Sequence, residues 1–231
     1  MEQKYDFQKA KLTMDYILKG LRPYIDFDKI TGVKVPLNFP LLINKGNNSL
    51  VFSIPETTLV AKSSFYDIVP KEKDPDNKGY FHLAGYVSGL KANGLENTVQ
   101  SLNEMGFDKE EKIYFPEMQE FDCKVSLWDT RRIYYTIMPD LRENNKFQVS
   151  DAENFSFDSI PNGKELKELY NASCEKILKA YLSGQYKLMC AGHGSEEKPE
   201  PAIRHMFLVQ HNDDYARLVI ADLNHLVIQK K

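Results

Sequence analysis

The sequence predicts an α+β fold, because it combines segments whose apolar residues recur at helical spacing with short β-rich runs separated by turn residues. The chain has 231 residues, of which 42% are hydrophobic. This is enough apolar material for a core in one domain or in two closely apposed lobes.

The first 62 residues contain a helix followed by three strands. Apolar residues at helical spacing predict an amphipathic helix over residues 7–21, which ends before Pro23. Residues 41–62 contain three short β-rich runs separated by Gly46-Asn47-Asn48 and by Pro55-Glu56. Glycine, asparagine and proline are the usual turn residues, so this stretch predicts a three-strand meander.

The middle of the chain adds a short helix and two strands. Apolar spacing predicts the helix over residues 95–105, and Gly106 ends it. Strands are predicted at residues 121–127 and 133–138, and Pro139 closes the second of them. The polar segment 143–162 is expected to be an extended crossing between two halves of the molecule.

The last third begins with the clearest helix. Asn162 precedes Glu165 by three residues, which predicts a capping-box start, and apolar residues follow at helical spacing up to Leu182. Two strands are predicted at residues 205–209 and 216–223, joined by a polar turn.

Composition excludes several classes of function. The net charge of −3 and the pI near 6.0 provide no basic excess for neutralising phosphates, so no nucleic-acid partner is expected. The N-terminus lacks the pattern of a signal peptide and no apolar run could span a bilayer, so no membrane association is expected. Three widely spaced cysteines suit reduced thiols, which predicts a cytoplasmic protein.

Several short motifs follow one another in a familiar order. A glycine turn runs from Gly46 to Ser49, Leu59-Val60-Ala61-Lys62 ends a strand in a lysine, and a later strand passes through Met138 to Pro139. In this order the motifs resemble the N-lobe of the protein kinase-like fold. The resemblance implies two lobes, an antiparallel β-rich N-lobe and a reduced helical C-lobe.

The resemblance also implies a nucleotide site in the cleft between the lobes. Backbone N–H groups of a tight turn and a neighbouring lysine would face the phosphates of ATP. A glutamate on the following helix would pair with Lys62; Glu96 and Glu104 are the candidates, and Glu96 is favoured. The implied cofactor-binding residues are Gly46, Ser49, Lys62, Glu96 and Met138.

The C-terminal part resembles the family less closely. His193 is similar to the start of a catalytic loop, and Asp222 is similar to the aspartate that holds magnesium. Where the family has its catalytic aspartate, this chain has Ser195, so Glu196 or Glu197 would have to supply the carboxylate. His205 stands where the family has a metal-binding asparagine. Small kinases of podophage type are similarly abbreviated.

These features predict a divergent kinase-like protein with weak or absent phosphotransfer, using ATP and magnesium and acting on or with a protein partner. Two alternatives stay open: a non-catalytic pseudokinase-like interaction module and an unrelated α+β binding protein. The predicted division is an N-terminal helical extension (1–40), a β-rich N-lobe (41–141) and an abbreviated C-lobe with a helix and a β-hairpin (142–231).

The histidines and cysteines of the chain do not predict a zinc site. Cys190, His193, His205 and His211 could be combined, but their spacing matches no tetrahedral ligand pattern. Cys123 and Cys174 are expected in the core rather than as nucleophiles.

Overall fold

A computed structural model describes most of the chain and divides it into two compact units. The described residues are 5–20, 22–24, 38–45, 49–64, 94–124, 132–190, 198–221, 223 and 226–231. Unit 1 comprises residues 1–88 and 117–140, and unit 2 comprises residues 89–116 and 141–231. Within the described residues, no helix is both long and apolar enough to cross a membrane.

The secondary structure is α+β, as predicted. The described α-helices are α1 (Phe7–Gly20), α2 (Gly94–Glu104), α3 (Gly163–Leu182) and α4 (Glu200–His205). The described strands are β1 (Leu42–Lys45), β2 (Ser49–Ser53), β3 (Leu59–Ser64), β4 (Ile113–Tyr114), β5 (Gln119–Lys124), β6 (Arg132–Pro139), β7 (Gln148–Asp151), β8 (Tyr186–Cys190), β9 (Phe207–His211), β10 (Ala216–Ile220) and β11 (Leu226–Lys230).

Unit 1 is built on a five-stranded sheet with the order β1-β2-β3-β6-β5. Every neighbouring pair in it is antiparallel. The predicted meander is therefore confirmed as β1, β2 and β3, and the two strands predicted later in the chain are confirmed as β5 and β6. Strand β3 lies in the middle of the sheet.

Helix α1 covers one face of this sheet, and the predicted helix over residues 7–21 is confirmed. Its buried side chains, including Met14 and Leu18, pack in one cluster with Phe52, Ala61 and Ile137. These three strand residues lie side by side in the register, so they occupy one face of the sheet. The core of unit 1 therefore lies between α1 and this face.

The described residues of unit 2 form two separate sheets. One has the order β4-β10-β9-β7, in which β4 runs parallel to β10 and the other pairs are antiparallel. The other consists of β8 and β11 in antiparallel register. The predicted hairpin is confirmed as β9 and β10. The segment 143–162 was expected to be a plain extended crossing, and this expectation is wrong: it contains β7 and the 3-10 helix Phe157–Ser159.

Helix α2 packs against β11 through its small and hydroxyl-bearing residues. Ser101 donates a hydrogen bond to the carbonyl of Ile228 at 3.1 Å, and the amide of Ile228 donates one to Thr98 Oγ1 at 3.0 Å. A Cβ atom at Gly94 would lie 2.9 Å from Val227 Cγ2, so glycine permits the close approach. The predicted N-lobe (41–141) included this helix, whereas in the structure it belongs to unit 2, because its small face fits the edge of a strand there.

Helix α3 starts differently from the predicted capping box. Asn162 has φ 55°, and its side chain makes no capping hydrogen bond. Gly163 follows because a Cβ at this position would overlap the carbonyl oxygen of Phe157. The turn that joins the 3-10 helix to α3 therefore depends on close backbone contact, and not on the side chain of Asn162.

Candidate functional site

Lys62 lies on the third strand of the chain and in the centre of the five-stranded sheet. Its partners in the register are Val51 on β2 and Thr136 on β6. Its side chain is half-buried.

The face that carries Lys62 is opposite to the one that α1 covers. Side chains alternate across a strand, so Ala61 and Lys62 occupy opposite faces, and Ala61 packs in the cluster with α1. Val60 shares the face of Lys62 and pairs with Met138 on β6. Both Val60 and Met138 are 7% exposed. This second face of the sheet thus combines two adjacent buried apolar side chains with a cation two residues along the strand.

Polar groups extend the same face beyond Lys62. Thr136 is 8% exposed and pairs with Lys62 on one side and with Glu120 of β5 on the other. Because residues paired directly across a sheet lie on the same face, Lys62, Thr136 and Glu120 form a row across β3, β6 and β5. A ligand on this face would meet apolar side chains at one end and a row of polar groups at the other.

The strands that flank the glycine-turn motif in the sequence are β1, at the edge of this sheet, and its neighbour β2. Strands β1 and β2 pair antiparallel, with Lys45 opposite Leu50, so they form a hairpin. Gly46 is in the connection and lies outside the described residues. Ser49 begins β2, and its backbone pairs with that of Ser64.

Four of the remaining predicted site residues cannot be placed. His193, Glu196, Glu197 and Asp222 all lie outside the described residues. Their roles as catalytic groups, and that of Asp222 as the magnesium ligand, stay predictions.

The two glutamates proposed as partners of Lys62 both lie on α2, in unit 2. Glu96 is exposed in the first turn of the helix. Glu104 forms an ion pair with Lys230, with 2.9 Å between Oε2 and Nζ. The hydrogen bond from Lys230, joined by one from Gln100, lowers the pKa of the Glu104 carboxyl below its ordinary value. The Lys62–Glu96 pair stays a prediction.

The cysteines that the structure describes in full are core residues, as expected. Cys123 and Cys174 are both buried. Burial raises the pKa of each thiol to about 11. Since the thiolate is the reactive form, neither is a nucleophile at neutral pH.

One cluster of side chains was missed in the sequence. Asp151, the last residue of β7, and Glu153, two residues beyond it, meet His205, the last residue of α4. His205 Nδ1 lies 3.7 Å from Asp151 Oδ2, and His205 Nε2 lies 3.4 Å from Glu153 Oε2. The separation of more than fifty residues between the carboxylates and the histidine hid this cluster from motif reasoning.

Comparison with known proteins adds no family. No protein-family model matches the sequence, and no curated protein and no solved structure matches it. Function must therefore be argued from the two groups of residues described above: the Lys62 face of the sheet in unit 1 and the His205 cluster in unit 2.

Proposed function

We propose that this chain is a divergent kinase-like protein that binds ATP with magnesium and has weak or absent phosphotransfer activity. The observation that carries the proposal is the position of Lys62 on the central strand, on the same face as Val60 and Met138. This arrangement supports nucleotide binding, because it places apolar side chains next to the positive charge of a lysine.

The chemistry of each group fits one part of a nucleotide. Val60 and Met138 would contact the flat apolar surface of adenine, which gains free energy by leaving water. Residues two apart along a strand are separated by about 6.8 Å, so Lys62 would lie beyond the base, toward the phosphates. A lysine ammonium is a compact charge that suits phosphate oxygens. The glycine turn at Gly46 would add backbone N–H donors.

Phosphotransfer needs more than nucleotide binding. It requires a metal between the phosphates and a group that orients the acceptor hydroxyl. In this proposal Asp222 holds the magnesium ion, and Glu196 or Glu197 stands in for the aspartate that Ser195 replaces. His193 begins the same loop. Because the family's aspartate is missing, we expect transfer to a protein substrate to be slow or absent, as in a pseudokinase that acts through a protein partner.

The proposal is tested by thermal unfolding of the full chain with ATP and magnesium. A ligand at 100 times its dissociation constant stabilises the folded state by about 2.7 kcal/mol, which corresponds to a rise in Tm of roughly 5–10 °C for a chain of this size. Lys62→Met should remove the rise. Lys187→Met is the matched control, since Lys187 is an exposed strand lysine in unit 2 and its loss should leave the rise intact.

Circular dichroism of each variant establishes that the fold is intact. An equal rise in wild type and Lys62→Met would contradict the assignment of Lys62. No rise in wild type would contradict the proposal and favour either a non-catalytic pseudokinase-like interaction module or an unrelated α+β binding protein. Transfer of labelled phosphate is then measured separately. Fast phosphate transfer by wild type that is lost in Asp222→Ala would overturn the proposal of weak or absent phosphotransfer. The proposal that the chain binds a nucleotide would still stand.

A further inference from the structure

The structure brings together three side chains that are all metal-ligand types. One potential ligand atom from each of Asp151, Glu153 and His205 lies within 4.8 Å of the others. Two carboxylates and a neutral imidazole carry a total charge of −2, which a divalent cation would neutralise. An imidazole ligand favours zinc and other transition metals over magnesium and calcium, which prefer oxygen ligands alone.

The ligand atoms of the cluster lie close together, but their spacing of up to 4.8 Å is wider than that of ligands around a bound ion. Ligands bound at 2.0–2.2 Å to a tetrahedral ion are separated from one another by about 3.3–3.6 Å. The two measured nitrogen-to-oxygen separations are 3.4 Å to Glu153 and 3.7 Å to Asp151. These separations involve different ring nitrogens, so they are contacts of the imidazole with a carboxylate on each side and not edges of one coordination sphere. An ion would bind one of the two nitrogens, and the side chains would have to rotate so that both carboxylates reach the same ion.

The backbone that carries the carboxylates is anchored to the segment that carries the histidine. Ala152, between the two acidic residues, is 1% exposed, and its amide donates a hydrogen bond to the carbonyl of Phe207 at 3.1 Å. Phe207 follows His205 by two residues. Asp151 Oδ1 also accepts a hydrogen bond from the amide of Glu153 at 3.1 Å. The ligands are therefore held near one another before any ion binds, which lowers the entropic cost of binding.

The side chains of the cluster are about one third exposed: 36% for Asp151, 34% for Glu153 and 30% for His205. Water can therefore reach one side of the cluster. A site with three protein ligands and a position left for water is the arrangement that zinc adopts when it is not purely structural.

We propose that Asp151, Glu153 and His205 form a site for a divalent transition metal, with Zn²⁺ as the favoured ion and water completing the coordination. The ion cross-links the end of β7 to the end of α4. Asp151 and Glu153 are not among the residues assigned to ATP or to magnesium. His205 is the residue of this site that the kinase-like resemblance also touches, since it stands where the family has a metal-binding asparagine.

The test is a titration of the full chain with Zn²⁺ in competition with a chromophoric chelator, without nucleotide. We expect one ion per chain at this site. His205→Gln and Glu153→Gln should each weaken Zn²⁺ binding by at least about 10- to 100-fold. Losing a group that only hydrogen-bonds to a metal ligand already weakens binding by this factor, so losing a ligand should weaken it at least as much. Asp158→Asn, which removes an exposed carboxylate from the 3-10 helix of the same unit, should leave the affinity unchanged.

Three results would overturn the proposal: no binding of Zn²⁺ to wild type, equal binding to wild type and both variants, or a thiolate-to-metal charge-transfer band when Co²⁺ replaces Zn²⁺. The last result would show cysteine ligation. Circular dichroism of both variants shows whether they fold. If His205→Gln does not fold, Glu153→Gln still tests the proposal, because Glu153 is at an exposed position where the substitution should not disturb the fold.

Discussion

The contact between α2 and β11 makes a quantitative prediction for Thr98→Val. Thr98 is fully buried, and its hydroxyl accepts the hydrogen bond from the amide of Ile228 at 3.0 Å while it donates one to the carbonyl of Gly94 at 2.7 Å. Valine has nearly the same shape but offers no acceptor. The amide of Ile228 would then be buried without this partner.

The expected cost follows from that loss. A buried donor left without its partner costs about 1–3 kcal/mol. For a chain of this size each kcal/mol lowers Tm by roughly 2–4 °C. Thr13→Val is the matched control. Thr13, on α1, donates the same type of hydrogen bond to a helix carbonyl, that of Lys9, but among the described residues no strand amide donates a hydrogen bond to it.

Urea unfolding measures the free-energy difference, and amide hydrogen exchange locates it. Thr98→Val should speed exchange of the Ile228 amide, whereas Thr13→Val should leave that amide unchanged. Equal losses of stability in the two variants, together with unchanged protection of Ile228, would refute the argument that α2 completes the edge of β11.

Two further predictions concern unit 2. Gly163→Ala should lower the free energy of unfolding in urea by about 1–3 kcal/mol, because its methyl group would overlap the Phe157 carbonyl. Gly20→Ala is the control and should have little effect, since its Cβ would lie 3.7 Å from the nearest side chain. Equal effects of the two variants would count against the close contact at Gly163. The pKa of Glu104 is lowered in the folded protein, so its ion pair with Lys230 stabilises the fold. This stabilisation is fully present above about pH 4.5, the ordinary pKa of a glutamate, and it is lost as the pH falls through the lowered pKa. The stability difference between wild type and Glu104→Gln should therefore be present at pH 7 and shrink in acid; a difference that does not change with pH would contradict this assignment.

Elements with strong local patterns were predictable from the sequence. Helix α3 was predicted from the apolar spacing that begins at Leu166, and β1 to β3 from short apolar runs between turn residues. Strands β8 and β11 were missed. Each is five residues long, and their pairing joins segments far apart in the chain, with Tyr186 opposite Lys230. Local periodicity carries no information about such partners.

The packing of α2 shows a second limit of sequence reasoning. Its apolar spacing predicted a helix correctly, but that spacing does not say which strand the helix contacts. Gly94, Thr98 and Ser101 form a small, hydroxyl-bearing face of the helix. This face was the feature of the sequence that could have indicated close contact with the edge of a strand. The start of α3 is similar: Asn162 matched the capping pattern, but its backbone is left-handed and its side chain makes no capping hydrogen bond.

The candidate sites differ in how far the sequence could predict them. The position of Lys62 on β3 could be predicted, because turn residues mark the ends of the short strands that precede it. The cluster around His205 could not be predicted, because β7 had been assigned to an extended crossing and α4 is only six residues long. A site formed by tertiary contact between two such short elements leaves no periodic signal.

Photolabelling with an 8-azidoadenosine triphosphate tests the central claim most directly, because it reports where the base binds. The account predicts that label attaches to peptides from β3 or β6 that contain Val60 or Met138, that unlabelled ATP with magnesium suppresses it, and that Lys62→Met reduces it. Label that is confined to peptides of unit 2, or that ATP does not compete away, would contradict the assignment of the Lys62 face as a nucleotide site.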